Sequence, residues 1–110
     1  ALAALHGGSE KAIIHAAAMA IKNLLGLVCD PVAGLVEVPC VKRNVVGAMN
    51  ALSSADMALA GIESRIPPDQ VIDAMKEVGD QMNSSLKETG LGGLAGTPFG
   101  KEVAENFLGK

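Results

Sequence analysis

The stretch Ser9-Glu10-Lys11-Ala12-Ile13-Ile14-His15-Ala16-Ala17-Ala18-Met19-Ala20-Ile21-Lys22-Asn23-Leu24-Leu25-Gly26 reads as a capped amphipathic helix, and it sets the fold class. Ser9 is a favoured N-cap, Glu10 places a negative charge where the helix dipole favours one, and Gly26 is a stop. Ile13, Ala17, Ile21 and Leu24 share a face by the i, i+4, i+8, i+11 rule, and Ile14, Ala18 and Leu25 widen the stripe. The spacing predicts a helix from 9 to about 25 that is buried on most sides, which implies neighbours outside the chain. Upstream, Ala1 to His6 reads as a helix stopped by Gly7-Gly8, with no N-cap and under two turns. Helices that short do not form in isolation. The expectation is therefore a chain cut from a longer one in mid-helix, at its N-terminal side.

Composition agrees with an all-α fold. Of the 110 residues, 49% are apolar, but Phe99 and Phe107 are the only aromatics and Thr is scarce. Packing falls to Ala, Val, Leu, Ile and Met, a choice that favours helix over sheet. One compact domain suits this length. Net charge is -3 with both signs scattered, so the clustered cations and stacking aromatics of a nucleic-acid surface are missing. The apolar run around Ala16–Ala20 is bounded by Glu10, Lys11 and Lys22 and is too short to span a bilayer, which needs about 20 apolar residues. The setting expected is cytoplasmic, with Cys29 and Cys40 held as thiols.

Further elements follow from punctuation and period. Residues 26–39 carry Pro31 and Gly34 and read as a loop of unusually apolar character, whose backbone polar groups must be satisfied if it is buried. Pro39 suits the first turn of a helix over 39–60. Val41, Val45, Ala48, Leu52, Ala55 and Leu59 repeat there at helical spacing. Pro67-Pro68-Asp69 opens a helix predicted over 68–86, with Val71, Met75, Val78 and Met82 as its stripe. The stretch from Lys87 to Gly96 is a glycine-rich loop, with no strand before it and no dinucleotide spacing. Thr97 caps a final helix over 98–107.

Chemistry concentrates at the two cysteines. Ten residues and a break separate them, unlike the tight C-x2-C pairs of zinc sites. An arbitrary pair of this kind is better read as buried packing. The setting favours more: Asp30-Pro31 follows Cys29, and Cys40 sits at a helix N-terminus, where the dipole stabilises a thiolate. Two thiolates at the ends of one apolar loop make half of a metal site. Arg43 and Asn44 share a helix face with Cys40, where a cation and an amide can hold a small carboxylate. A solvated Arg43 beside Lys42 competes with that reading. His15 and His6 read as a packed or solvent-tipped residue and a helix-terminal one, and Asp56 as a polar-face residue or a buried hydrogen-bond partner.

The run Gly26-Leu-Val-Cys-Asp-Pro-Val-Ala-Gly-Leu-Val-Glu-Val-Pro-Cys40 with Val41-Lys-Arg-Asn44 resembles the signature segment of iron–sulfur-dependent L-serine dehydratases (L-serine ammonia-lyases). Leu86-Lys-Glu-Thr89, Gly92-Gly93-Leu94-Ala95 and Thr97-Pro98 are similar to the same family, as is the segment 1–25. The ending resembles the alpha chain of the two-subunit members. The resemblance implies the C-terminal part of an all-helical catalytic domain over 1–110, acting on L-serine to give pyruvate and ammonia. It implies a 4Fe-4S cluster whose open iron acts as a Lewis acid on the substrate hydroxyl. Cys29 and Cys40 match two cluster ligands; a further cysteine belongs to a Gly-Cys-Gln-Gly-type motif that would precede Ala1. Arg43, Asn44, Lys87 and Thr89 become candidates for contacts to substrate or cluster surroundings. The missing N-terminal part of the domain and a beta domain or subunit are the implied partners. No cluster and no activity are expected in the 110 residues alone. Pairing of chains over exposed apolar surface is expected in a crystal. Two other readings stay open: a non-catalytic helical interaction module with packing cysteines, and a structural zinc domain drawing on Cys29, Cys40, His6 and His15.

Overall fold

The computed structural model describes residues 1–108. Among them are five α-helices and no strand: α1 (Leu2–Leu5), α2 (Glu10–Lys22), α3 (Cys40–Leu59), α4 (Pro68–Gln81) and α5 (Pro98–Leu108). Short 3-10 turns lie at Val32–Gly34, Ser84–Leu86 and Gly93–Gly96. The chain divides into two compact units. The first is Ala1–Gly26 with Val46–Asp80, and the second is Leu27–Val45 with the described part of the segment from Gln81 onward. Helix α3 contributes residues to both. None of the helices among the described residues is long and apolar enough to cross a membrane.

Local chemistry explains the helix limits. The Ser9 hydroxyl accepts from the Ala12 N–H at 3.1 Å, closing the N-terminus of α2. Regular α2 ends at Lys22, earlier than the predicted Leu25, because its last turn tightens: Leu24 N–H donates to Ile21 O and Leu25 N–H to Lys22 O. Gly26, at φ +80°, then leaves the helix. Helix α3 starts at Cys40, with the Pro39 carbonyl accepting from Arg43 N–H; the Val38–Pro39 bond is cis. Helix α4 ends at Gln81 and not near Leu86. Asn83 intervenes, its side-chain oxygen accepting from Ser85 N–H at 2.9 Å and starting a separate 3-10 turn. Thr97 caps α5 as its sequence indicates, accepting from Gly100 N–H at 3.1 Å.

In the first unit small residues make the core: Ala3, Ala18, Met19, Ala55, Ala58 and Val71 are buried. A Cβ on Gly8 would lie 2.7 Å from the Ala3 carbonyl oxygen and 3.0 Å from Leu59 Cδ2, so the backbone of Ala3 and the side chain of Leu59 both pack closely on Gly8. Polar links fix the register. Asn50 Nδ2 donates to the Ala20 carbonyl at 2.9 Å while its oxygen accepts from Asn23. Ser64 is fully buried; its N–H donates to His15 Nδ1 at 3.1 Å and its carbonyl accepts from Lys22 Nζ. His15 is thus a packed histidine, while His6 and Asp56 are exposed. Within these residues α2 is covered on one side only, and the apolar surface expected to be left open on it is open. Its core face is the Ala18–Met19 side, with Ile14 48% exposed. On α3 the predicted stripe is covered only in part: Ala55 is buried, but Val41, Val45 and Leu52 are exposed. Large apolar surface is therefore bare, as the sequence leads one to expect.

Candidate functional site

The second unit is built around the loop that begins at Cys29. Its apolar residues leave backbone groups that need partners, and three sets of bonds supply them. Cys29 N–H donates to Leu86 O at 2.9 Å and Glu88 N–H donates to Cys29 O at 2.8 Å, an isolated parallel bridge between Cys29 and Lys87. Val32 N–H donates to Val38 O at 2.9 Å, closing the loop on itself. Arg43 Nη1 donates to the Val28 carbonyl at 3.1 Å and to Asp30 Oδ1.

Asp30 is the buried charge of this unit, its side chain 3% exposed. Its second oxygen accepts from Leu94 N–H at 2.7 Å. Burial pushes its carboxyl upward, but the bonds from Leu94 and Arg43 outweigh that, and the net displacement is downward from 3.8. The carboxylate is therefore ionised and paired. Gly93 stands at φ +57°, and a Cβ there would fall against the Asp30 carboxylate. Gly90, at φ +67°, approaches the same loop, its virtual Cβ 3.4 Å from the Pro31 carbonyl oxygen. The glycine-rich segment is thus a close-fitting wall of the Cys29 loop.

Both cysteines are free and half-buried, and both belong to this unit. Burial pushes the Cys29 thiol up, and Glu88, the neighbouring Cys40 and Asp30 push it further, against the Arg43 cation. The four other residues singled out from the sequence have distinct placements. Arg43 is committed through Nη1 to the residues on either side of Cys29. Asn44 donates to the Cys40 carbonyl at 2.8 Å, within its own helix turn. Lys87 is exposed, and its backbone is held at the bridge. Thr89 donates to Ser85 O at 2.6 Å and accepts from Leu91 N–H at 3.2 Å, organising the entry to the glycine loop. Sequence reasoning missed Asp30 and Glu88 as site residues. An Asp next to a candidate ligand, facing a loop with no other buried charge, was the available signal for the first. Glu88 carries φ +62°, which nothing in its sequence announces.

Among the described residues no group of three or more His, Cys, Asp or Glu is placed to hold a metal ion. Iron–sulfur clusters are ordinarily held by about four thiolates. The two thiols fit part of such a donor set in kind and in their shared loop, with further ligands needed from elsewhere. A zinc site within these residues fits poorly, since His15 Nδ1 already accepts from Ser64.

The family model for the serine dehydratase alpha chain matches residues 1–95. The chain belongs to the serine dehydratase alpha-chain family. Its similarity to relatives is high across this region. The probable L-serine dehydratase alpha chain of Latilactobacillus sakei is 62% identical over 104 residues, covering 94% of this chain and 50% of the relative. The Bacillus subtilis (strain 168) protein of that description is 59% identical over 109 residues, covering 99% of this chain and 36% of the relative. L-serine dehydratase 1 of Escherichia coli K12 is 45% identical over 95 residues, covering 86% of this chain and 21% of the relative. The chain thus spans half or less of the length of these serine dehydratases. Helix α5 lies beyond the stretch that the family model matches.

Proposed function

We propose that this chain supplies part of the catalytic centre of an L-serine dehydratase, a lyase that converts L-serine to pyruvate and ammonia, and that Cys29 and Cys40 are two thiolate ligands of a 4Fe-4S cluster there. One junction carries the reading: the backbone of Cys29 is paired to Leu86–Glu88 while Arg43, one turn along α3 from Cys40, bonds to the residues flanking Cys29. Two of the segments that bear the family likeness, 26–44 and 86–98, meet at this point.

When bound, the cluster supplies a Lewis acid that makes the serine hydroxyl a better leaving group. The chain's own residues hold and orient. Cys29 and Cys40 present soft ligands on one loop. Lys87 and Asn44, both exposed, are the groups available to a substrate carboxylate, and Thr89 fixes the segment that bears Lys87. Loss of the α proton and the hydroxyl leaves an enamine, which tautomerises to an imine. Hydrolysis of the imine gives pyruvate and ammonia, so the water lost in the first stage is returned in the last. Relatives named as alpha chains support a beta chain or domain as partner. A cytoplasmic setting would keep both thiols reduced.

Metal analysis of the purified enzyme containing this chain tests the proposal, coupled to a pyruvate assay with L-serine. Iron with acid-labile sulfide, and pyruvate released in step with it, is the expected result. Zinc in place of iron, or full turnover with no metal, would overturn it.

A further inference from the structure

From the bonds around Cys29 we infer that Asp30 and Arg43 are a positioning clamp, which fixes the Cys29 loop to the first turn of α3 and so sets the separation of the two thiols. The inference rests on the reading of Cys29 and Cys40 as ligands and assigns Arg43 a role other than gripping substrate. Arg43 Nη1 reaches the carbonyl of Val28, at 3.1 Å, and the carboxylate of Asp30. These are the two neighbours of Cys29 in the chain, so the guanidinium straddles that residue. Cys40 lies three residues before Arg43 on the same helix, so it shares the face from which the guanidinium extends. A single side chain therefore couples the backbone of one ligand to the helix of the other.

Asp30 extends the clamp to a third segment. Its Oδ2 accepts from Leu94 N–H at 2.7 Å, and the residue is buried, which removes competing water. Gly93 leaves the space that this carboxylate occupies. Ligands of an iron centre must be held against thermal motion to keep one geometry, and partners beyond the ligands commonly do this. An Arg suits the task because its planar, permanently charged group can bond a carbonyl and a carboxylate together. Lys offers one compact ammonium and would hold only part of that arrangement.

Two measurements on Arg43→Lys in the holoenzyme test the clamp. The first is amide hydrogen exchange of the segment containing Leu94, compared with α2 and α4. The second is the rate of cluster loss to an iron chelator, followed by the visible absorption of the cluster. Exchange at Leu94 should rise about tenfold, and cluster loss should speed by a similar factor, with α2 and α4 unchanged. Unchanged exchange at Leu94 overturns the clamp, whatever the cluster does. Raised exchange with unchanged cluster loss overturns the positioning role. If exchange rises throughout the molecule, Asp30→Asn, which keeps the side-chain shape, replaces the first variant. Global opening there too would make the pair a folding element and overturn the assignment. Should the holoenzyme hold no iron, the ligand reading fails by itself, and the exchange result still reports on the clamp.

Discussion

Asp30 shows how one residue links chemistry to fold. A buried carboxylate is costly unless it is ionised against a cation and its remaining lone pairs are bonded. Arg43 and Leu94 N–H meet both needs. Cys29 beside it is in the opposite state. Burial and the nearby carboxylates of Glu88 and Asp30 favour the neutral thiol, so binding of a metal by this thiol would have to displace a proton. The sign for reactivity follows. A thiol pKa raised above 9.0 means that little thiolate exists at neutral pH and that the amount grows as pH rises. Removing the Glu88 charge lowers that pKa. In metal-free protein, alkylation of Cys29 should speed up with rising pH, and Glu88→Gln should alkylate a few-fold faster at a fixed mildly alkaline pH. Peptide mapping by mass spectrometry reads both rates, and equal rates in the two proteins would remove Glu88 from the thiol's surroundings.

At the scale of elements, helices were legible where a cap and a period coincide. Ser9, Thr97 and the Pro67-Pro68-Asp69 turn each mark a start that the structure keeps. Ends were less legible. Asn83 offers its backbone neighbours a side-chain partner, and that local bond stops α4 where the apolar stripe alone would carry it on to Leu86. The glycine loop was readable as a loop, but its fit to Asp30 was not, since a contact across 64 positions leaves no local pattern. That fit gives a prediction. Gly93→Ala forces both a left-handed backbone and a Cβ against Asp30, whereas Gly34→Ala, at φ +71° with open space around it, forces only the backbone. The second should cost about 1 kcal/mol of unfolding free energy. The first should cost about 2–3 kcal/mol. Urea unfolding of the two variants checks the difference, and equal losses would mean that the Asp30 contact adds nothing.

At the scale of the whole molecule, the candidate site was visible in part because cysteine is rare in this chain. Two cysteines at the ends of one loop stood out, and so did Arg43. The pairing of Arg43 with Asp30 was hidden, because Asp30 is neither on its helix nor at helical spacing from it. Apolar residues pointed correctly to α-helix, but they could not say which faces are covered. Val41, Val45 and Leu52 have the period of a core and are bare. Loop closure shapes the site: the bridge at Cys29, the Arg43 bonds and the wall at Gly93 lie in the unit that holds both thiols. A shared cluster demands that the two cysteines act together. The direct measurement is iron and acid-labile sulfide content, with pyruvate formation from L-serine, in Cys29→Ser and in Cys40→Ser of the enzyme. A hydroxyl is a poor ligand for iron beside a thiolate, so each variant should lose cluster and activity in step. A full cluster and normal turnover in either one would contradict the account.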